Sequence, residues 1–285
     1  MLSKFDYAKP LVLEEALSAL SQNEGGTYIL AGGTDLLIAL RHNLIDVKHI
    51  IDIKSIPELD VFEFVAGKGL EIGANVVCNT LIESEIVKEK YTALHDAAAV
   101  LATYPLRNRA TLVGNICNGS PGADLPPALL IYDAEVKIAS SEGERTIPLH
   151  EFFTGVKKTQ LADNEIVVSV FLPDPGSEKD RSCYNRQTRL KGHDLSTVGV
   201  ACRINQDGKA AIGINAVAVT PLRLTALEND LNEKGITEES IDWAAEEIQN
   251  HIKPISDVRS SKEYRLHMAG VLLKRSLTQL MQKEA

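Results

Sequence analysis

Two adjacent glycines, placed where a short apolar run gives way to a helix-like one, constrain this chain more than any other feature. Residues 28–30 read as a strand, residues 36–40 as the start of a helix, and Ala31-Gly32-Gly33-Thr34-Asp35 joins them. Consecutive small residues after a strand let successive backbone N–H groups converge on one concavity, and Gly32 and Gly33 permit the dihedrals and the close approach this needs. Such a turn receives a pyrophosphate without lysine or arginine, because the first turn of the following helix adds partial positive charge. Taken alone, it reads first as ordinary strand-to-helix geometry, so the remainder of the chain has to decide.

The familiar nucleotide signatures are absent. The one G-x-G, Gly67 to Gly69, forms the turn of a hairpin over residues 62–74 and leads into another strand, and no G-x-x-x-x-G-K-[ST] occurs. A Rossmann site is therefore not supported, and P-loop chemistry is removed. A second candidate loop, Thr111 to Asn115, lies in a stretch after Pro105 punctuated by glycine, asparagine and proline, with Asp124 in its later part. A long loop of that composition inside a packed domain is a functional signal. Two such loops and an aspartate change the weight of the first.

Composition removes other classes. With 30 basic against 39 acidic side chains and a net charge of −9, the chain is a poor match for nucleic acid or an anionic membrane. No window is long and apolar enough for a membrane span, and Asp6, Glu14 and Glu15 interrupt what a secretory signal would need, so a cytoplasmic protein is expected. Cys78, Cys117, Cys183 and Cys202 form no C-x-x-C pair and have no histidine at zinc-ligand spacing. They read as reduced, mostly buried thiols, with no metal or iron–sulfur site on this chain.

At 285 residues the chain is long enough for about two domains. Its N-terminal third reads as a βαβ-like unit ending in a strand at 49–53. Helices are expected at 79–89 and 92–102, a second hairpin at 136–147 and a strand at 166–172. The Pro-Asp-Pro-Gly-Ser run at 173–177 is the best linker candidate. Three strand-like runs follow, at 183–190, 197–205 and 211–219, and then two helices. The first is capped by Thr237 with Glu238 and Glu239 in its first turn and stops before Pro254; the second starts near Ser260 or Ser261.

Four segments resemble the FAD-binding subunit of molybdenum hydroxylases, a family that includes bacterial xanthine dehydrogenase, carbon monoxide dehydrogenase and nicotinate dehydrogenase. They are AGGTDLL at 31–37, LRNRATLVGNICNGSPGADLPPALLIYDA at 106–134, EIVVSVFLP at 165–173 and RSSKEYRLHM at 259–268. The resemblance implies an α+β fold class. A FAD-binding fold of the vanillyl-alcohol-oxidase type would span 1–176 in two α/β subdomains, about 1–56 and 57–176. A small α+β C-terminal domain of the carbon monoxide dehydrogenase flavoprotein type would fill 177–285. It further implies an oxidoreductase subunit that holds one FAD non-covalently and takes electrons from iron–sulfur clusters on a small partner subunit. Those electrons would originate at a molybdenum cofactor on a large partner subunit and leave for NAD, a quinone, a ferredoxin or oxygen. No side chain of this chain is then needed as a catalytic acid, base or metal ligand. Two other readings stand beside this one: a stand-alone flavin oxidoreductase of the same fold, and a non-enzymatic member that has lost flavin.

By the same resemblance, Leu30, Ala31, Gly32, Gly33, Thr34 and Asp35 form a first pyrophosphate loop, and Thr111, Val113, Gly114 and Asn115 a second. Asp124 matches an aspartate used on the cofactor, Val167 stands where the family packs a leucine against the flavin, and Arg186 stands where it has a flavin-contacting lysine. The chain also departs from the pattern. Val113 replaces the first glycine of Gly-Gly-Asn, and because a β-branched residue resists positive φ, residue 113 is expected at negative φ with its side chain turned away. Tyr104 is either a flavin neighbour or a packed aromatic beside a proline turn. Arg107 either offsets phosphate charge, with Arg109, or buttresses the loop through backbone carbonyls. Arg186 keeps the lysine's charge but changes its geometry. His193 and Asp194 read as a surface turn, and the apolar stripe from Tyr264 to Leu280 reads as core.

Overall fold

The computed structural model describes residues 4–22, 25–176 and 179–282, so Ser177 of the expected linker, at the expected domain boundary, lies outside the described residues. The N-terminal unit runs β1 (Asp6–Ala8), α1 (Leu13–Gln22), β2 (Thr27–Leu30), α2 (Leu36–Arg41) and β3 (His49–Asp52), and its three strands form a parallel sheet in the order β1-β3-β2. Side chains alternate across β3. Ile51 joins Ala16, Leu17 and Leu20 of α1 in the main core, whereas Ile50 faces Leu40 and Val47 in a small cluster on the other side.

The chain continues through β4 (Phe62–Val65), β5 (Gly69–Gly73), α3 (Cys78–Glu83), α4 (Glu85–Lys90), α5 (Thr92–Val100), α6 (Tyr104–Arg107), α7 (Leu112–Cys117) and α8 (Leu125–Leu130). It then returns to strand with β6 (Glu135–Ser140) and β7 (Gly143–Pro148), the short α9 (Leu149–Phe152), β8 (Phe153–Gly155), β9 (Lys158–Thr159) and the long β10 (Ile166–Pro173). The five longer strands make an antiparallel sheet ordered β4-β5-β10-β6-β7, so the last strand to be made sits in its centre. That position explains the nearly continuous apolar sequence of β10, whose residues Ile166 to Val170, Ser169 among them, are all buried.

The third unit comprises β11 (Arg181–Gln187), β12 (Val198–Ile204), β13 (Ala210–Asn215), β14 (Leu222–Arg223), α10 (Thr225–Lys234), α11 (Glu238–Glu247) and α12 (Lys262–Gln282). Its four-stranded antiparallel sheet has two apolar faces. Cys183, Val198, Val200, Ile212 and Ile214 pack with the C-terminal helices, while Tyr184, Ala201 and Ala211 belong to the N-terminal core, against which α5 and α8 carry the contact. Among the described residues no helix is long and apolar enough to cross a membrane.

Several expectations need correction. The helix expected at 79–89 is two helices, because Ser84 is extended and its hydroxyl accepts from the Val87 N–H to begin α4. The stretch expected as a long loop between 106 and 127 contains α6, α7 and the start of α8, each short enough that its apolar period is hidden by proline and glycine. Two helices were expected after the last sheet, whereas α10 precedes both of them, as does β14. The residue before α10 is Leu224, which offers no capping side chain, so the start of that helix carries no sequence signal; only its Gly235 stop, at φ 75°, was readable. The described part of the linker is stitched down rather than free. The Asp174 N–H donates to the Lys68 carbonyl, and its carboxylate accepts from the N–H groups of Gly67 and Gly176 and pairs with Lys90 at 3.2 Å.

Candidate functional site

The first loop leaves the end of β2, which lies beside β3 in the centre of the parallel sheet. Gly33 takes φ +73°, a region that L side chains avoid. Gly32 needs to be glycine for another reason: a Cβ there would stand 2.0 Å from the Arg109 carbonyl oxygen. The first loop therefore lies backbone to backbone against the segment that leads into α7. Among the described residues, the N–H groups of Gly32, Gly33, Thr34 and Asp35 donate no hydrogen bond. Leu30, Ala31 and Thr34 are half-buried and Asp35 is exposed. The Asp35 side chain does not cap α2 but accepts from the Asn118 amide at 3.1 Å, a second tie between the two loops.

What the sequence showed as a second loop is the first turn of α7. Thr111 is its N-cap, and its hydroxyl accepts from the Gly114 N–H at 2.9 Å. A Cβ at Gly114 would stand 2.8 Å from that same hydroxyl, so glycine keeps the cap intact. Val113 lies in the helix, is absent from the positive-φ residues and is 5% exposed, with its side chain in the main core. Its expected negative φ is thus present, and its side chain packs in the core. Asn115 carries a buried Oδ1 that has no hydrogen-bond partner among the described residues. The segment is anchored from outside by the Val77–Thr111 bridge and by the Cys78 N–H, which donates to the Ala110 carbonyl. Behind it, α7 packs on β10, where Val167 is 3% exposed and precedes a bulge.

Arg107 acts as a buttress. Its Nη1 donates to the carbonyls of Leu101 and Ala102 and its Nε to Asn79 Oδ1. Tyr104 is exposed, with its hydroxyl donating to Glu83 at 2.7 Å, so it is not the packed aromatic that was one of its two readings. His193 and Asp194 do form a turn, in which the Asp194 carboxylate accepts from the N–H groups of Arg189, Leu190 and Leu195.

Asp124 and Arg186 come together with partners that sequence reasoning did not select. Asp124 sits at the N-terminus of α8 without capping it, and its carboxylate turns toward the C-terminal sheet. Oδ1 accepts from the Tyr184 hydroxyl at 2.6 Å and from the Ser196 hydroxyl, and Oδ2 accepts from Arg186 Nη1 at 2.8 Å. Asn215 adds a bond from Nδ2 to the Ala123 carbonyl and another to the Tyr184 oxygen. The side chains of Arg186 and Asp124 are 10% and 5% exposed, so the pair is nearly dry. Burial, reinforced by the Asp124 carboxylate, pushes the Tyr184 phenol above its ordinary range and keeps it a hydrogen-bond donor. One signal was available: Tyr184 and Arg186 are two apart on one strand and share a face. Ser196 and Asn215 carried none.

The donor set suits a dinucleotide cofactor. Uncommitted backbone N–H groups match a pyrophosphate, and the unpartnered Asn115 Oδ1 is an acceptor that a hydroxyl-bearing ligand would satisfy. A cluster of three or more histidine, cysteine or acidic side chains able to hold a metal does not occur among the described residues.

Residues 3–175 match the family model for the FAD-binding domain in molybdopterin dehydrogenase, and residues 183–280 match that for the carbon monoxide dehydrogenase flavoprotein C-terminal domain. The chain is 32% identical over 282 residues to a xanthine dehydrogenase FAD-binding subunit of Escherichia coli O157:H7, covering 96% of each. It is 33% identical to the carbon monoxide dehydrogenase medium chain of Hydrogenophaga pseudoflava, again over 96% of each. Among solved structures, a chain of carbon monoxide dehydrogenase from Hydrogenophaga pseudoflava superposes with a TM-score of 0.93 at 32% identity, covering 99% of both. A chain of quinoline 2-oxidoreductase from Pseudomonas putida 86 superposes at 0.91 with 28% identity, covering 99% of both.

Proposed function

The chain belongs to the family of FAD-binding subunits of molybdopterin dehydrogenases, and on that premise we propose that it is the electron-transfer subunit of a xanthine dehydrogenase-like molybdenum hydroxylase complex. One observation carries the reading. A loop with four unspent backbone N–H groups, at Gly32 to Asp35, lies against the segment that leads into α7, and Gly32 permits the contact because a side chain there would strike the Arg109 carbonyl. Those donors suit a ligand rich in acceptors, and the buried, unpartnered Asn115 Oδ1 suits a hydroxyl on the same ligand.

In this reading Gly32, Gly33, Thr34 and Asp35 hold one side of the FAD pyrophosphate through their N–H groups, and Thr111, Gly114 and Asn115 form the other side, with Asn115 Oδ1 accepting from the cofactor. Val113 serves only as core. Val167 offers an apolar wall, and Arg186, fixed by Asp124, supplies positive charge at the flavin end. FAD supplies the redox chemistry, accepting electrons and releasing them to a second carrier; the chain binds, orients and sets the local charge. Electrons arrive from iron–sulfur clusters of a small partner subunit, fed by the molybdenum cofactor of a large one, and leave for NAD or another acceptor. The relatives named as medium chains of carbon monoxide dehydrogenase support such an assembly.

The three-stranded parallel sheet beside a five-stranded antiparallel one supports a vanillyl-alcohol-oxidase-type domain at 1–176, divided near residue 56, with 177–285 as the C-terminal domain. Four cysteines without a disulfide support a cytoplasmic site of action, with burial pushing the thiols of Cys78 and Cys117 up to about 12.

Purification of the tagged chain from its own host tests the proposal. Stoichiometric flavin absorbance together with co-purifying molybdenum and iron is the expected result. Flavin without either metal would favour a stand-alone oxidoreductase, and a chain that takes up no FAD would overturn both. Asn115→Ala, which removes an acceptor without adding a clash, is expected to weaken FAD binding by about 1–3 kcal/mol in a titration.

A further inference from the structure

We propose that Tyr184 and Ser196 are positioning residues that fix the Arg186 guanidinium through Asp124, so that its Nε–Nη2 edge stands as an oriented positive charge at the flavin. The inference rests on the FAD reading above, and nothing in that reading assigns these two side chains.

Arg186 has a long, flexible side chain, and a lone salt bridge leaves such a chain several orientations. Here the partner carboxylate is itself immobilised. Two hydroxyls donate to Asp124 Oδ1, from Tyr184 on β11 and from Ser196 just ahead of β12, which turns Oδ2 onto Arg186 Nη1. The same Nη1 donates to the Asp194 carbonyl at 3.3 Å. Both known bonds of the guanidinium therefore use one nitrogen. Nε and Nη2, the edge suited to bidentate contact with a planar acceptor pair, make no hydrogen bond among the described residues.

The sheet is arranged around this network. Arg186, Gly199 and Asn215 stand in register across β11, β12 and β13. A Cβ at Gly199 would lie 2.1 Å from the Tyr184 hydroxyl and 2.5 Å from Asn215 Oδ1, so the central strand gives up its side chain at the place where the phenol passes. Tyr184 is 6% exposed, and Ser196 and Asn215 are completely buried. Burying three polar side chains is costly unless each is bonded, and their bonds converge on the group that orients Arg186.

The test uses the FAD-loaded chain, with Ser196→Ala and Tyr184→Phe each made in the wild-type and in the Arg186→Gln background. Flavin content and flavin midpoint potential are measured. A fixed positive charge favours the reduced, more negative flavin, so both single variants are expected to retain flavin, to bind it about three- to tenfold more weakly, and to have a lower midpoint potential. In the Arg186→Gln background the further drop in potential should vanish, because the two hydroxyls act through the guanidinium. An unchanged potential in a flavin-replete Ser196→Ala protein would overturn the proposal, and so would a drop of the same size with and without Arg186. Should Tyr184→Phe fail to fold, Ser196→Ala decides alone. A wild-type chain that takes up no flavin would overturn the FAD reading itself, and flavin content separates that failure from the others.

Discussion

The two walls of the proposed FAD site are built in opposite ways. The N-terminal wall is made of backbone: Gly32 and Gly33 on one loop meet the lead-in to α7 on another, and the useful groups are N–H donors that any side chain would cover. The wall that faces the C-terminal sheet is made of side chains: Asp124 gathers Tyr184, Ser196 and Arg186 across a domain junction, and the useful group is one oriented guanidinium. The first is vulnerable to added atoms and the second to removed ones.

That contrast ranks the expected effects of substitution. Gly32→Val should be the most severe, since its Cβ would start 2.0 Å from the Arg109 carbonyl oxygen and force the loops apart. FAD retention should be lost while the C-terminal domain still gives a cooperative melt. Stoichiometric flavin in a soluble Gly32→Val protein would dismiss the backbone wall as a binding element. Asp124→Ala comes next, because it strands the nearly buried Arg186. We expect a loss of about 3–5 kcal/mol in urea unfolding, and a change below 1 kcal/mol would show that the pair is more hydrated than its burial implies.

Val113→Gly sharpens the contrast from within the first wall. Val113 is a core residue, so the substitution should cost about 2–4 kcal/mol of stability through lost packing and helix propensity. FAD affinity of the folded protein should stay nearly unchanged, because the Thr111 cap on Gly114 is left intact and the Val113 side chain lies in the core. A large gain in affinity on titration would mean that valine damages the site and would favour a member that has lost its flavin.

The smallest effect concerns the segment after β10, outside both walls. Burial would raise the Asp174 carboxyl, but the N–H groups of Gly67 and Gly176 and the Lys90 ammonium outweigh it and hold it below the usual carboxylate range. A folded-state value below the unfolded one adds stability that is full above the unfolded value and fades as the pH falls through the folded one. Asp174→Asn should therefore cost about 1 kcal/mol near neutral pH and less and less in acid. Equal losses at pH 7 and at pH 2 to 3 would assign the effect to packing instead.

The backbone wall was largely legible in the sequence, and the side-chain wall was not. Glycine pairs, a Thr-x-x-Gly-Asn run and a proline-rich stretch announce themselves because conformational demands are met by residue type at one place in the chain. Even there the sequence mistook the first turn of α7 for a loop, since six residues punctuated by Gly114 and Asn115 show no helical period. In the other wall, Ser196 and Asn215 are ordinary polar residues until folding sets them beside Asp124. Their bonds span 72 residues from Ser196 to Asp124 and 92 from Asn215 to Ala123, and no local pattern encodes a contact at that distance.

By itself, then, the sequence determined the elements and their chemistry. Glycine at 32 and 33, alternating strands around Gly67 and Gly143, and a Thr237 cap all follow from steric and hydrogen-bonding rules that act over a few residues. Only the tertiary structure decided which of these meet: that Gly32 touches the Arg109 backbone, that β10 enters the middle of its sheet, and that Asp124 spends its carboxylate on Arg186, Tyr184 and Ser196. The reason is that close packing and the need to pair buried polar groups act on the assembled surfaces of all the sheets and helices at once.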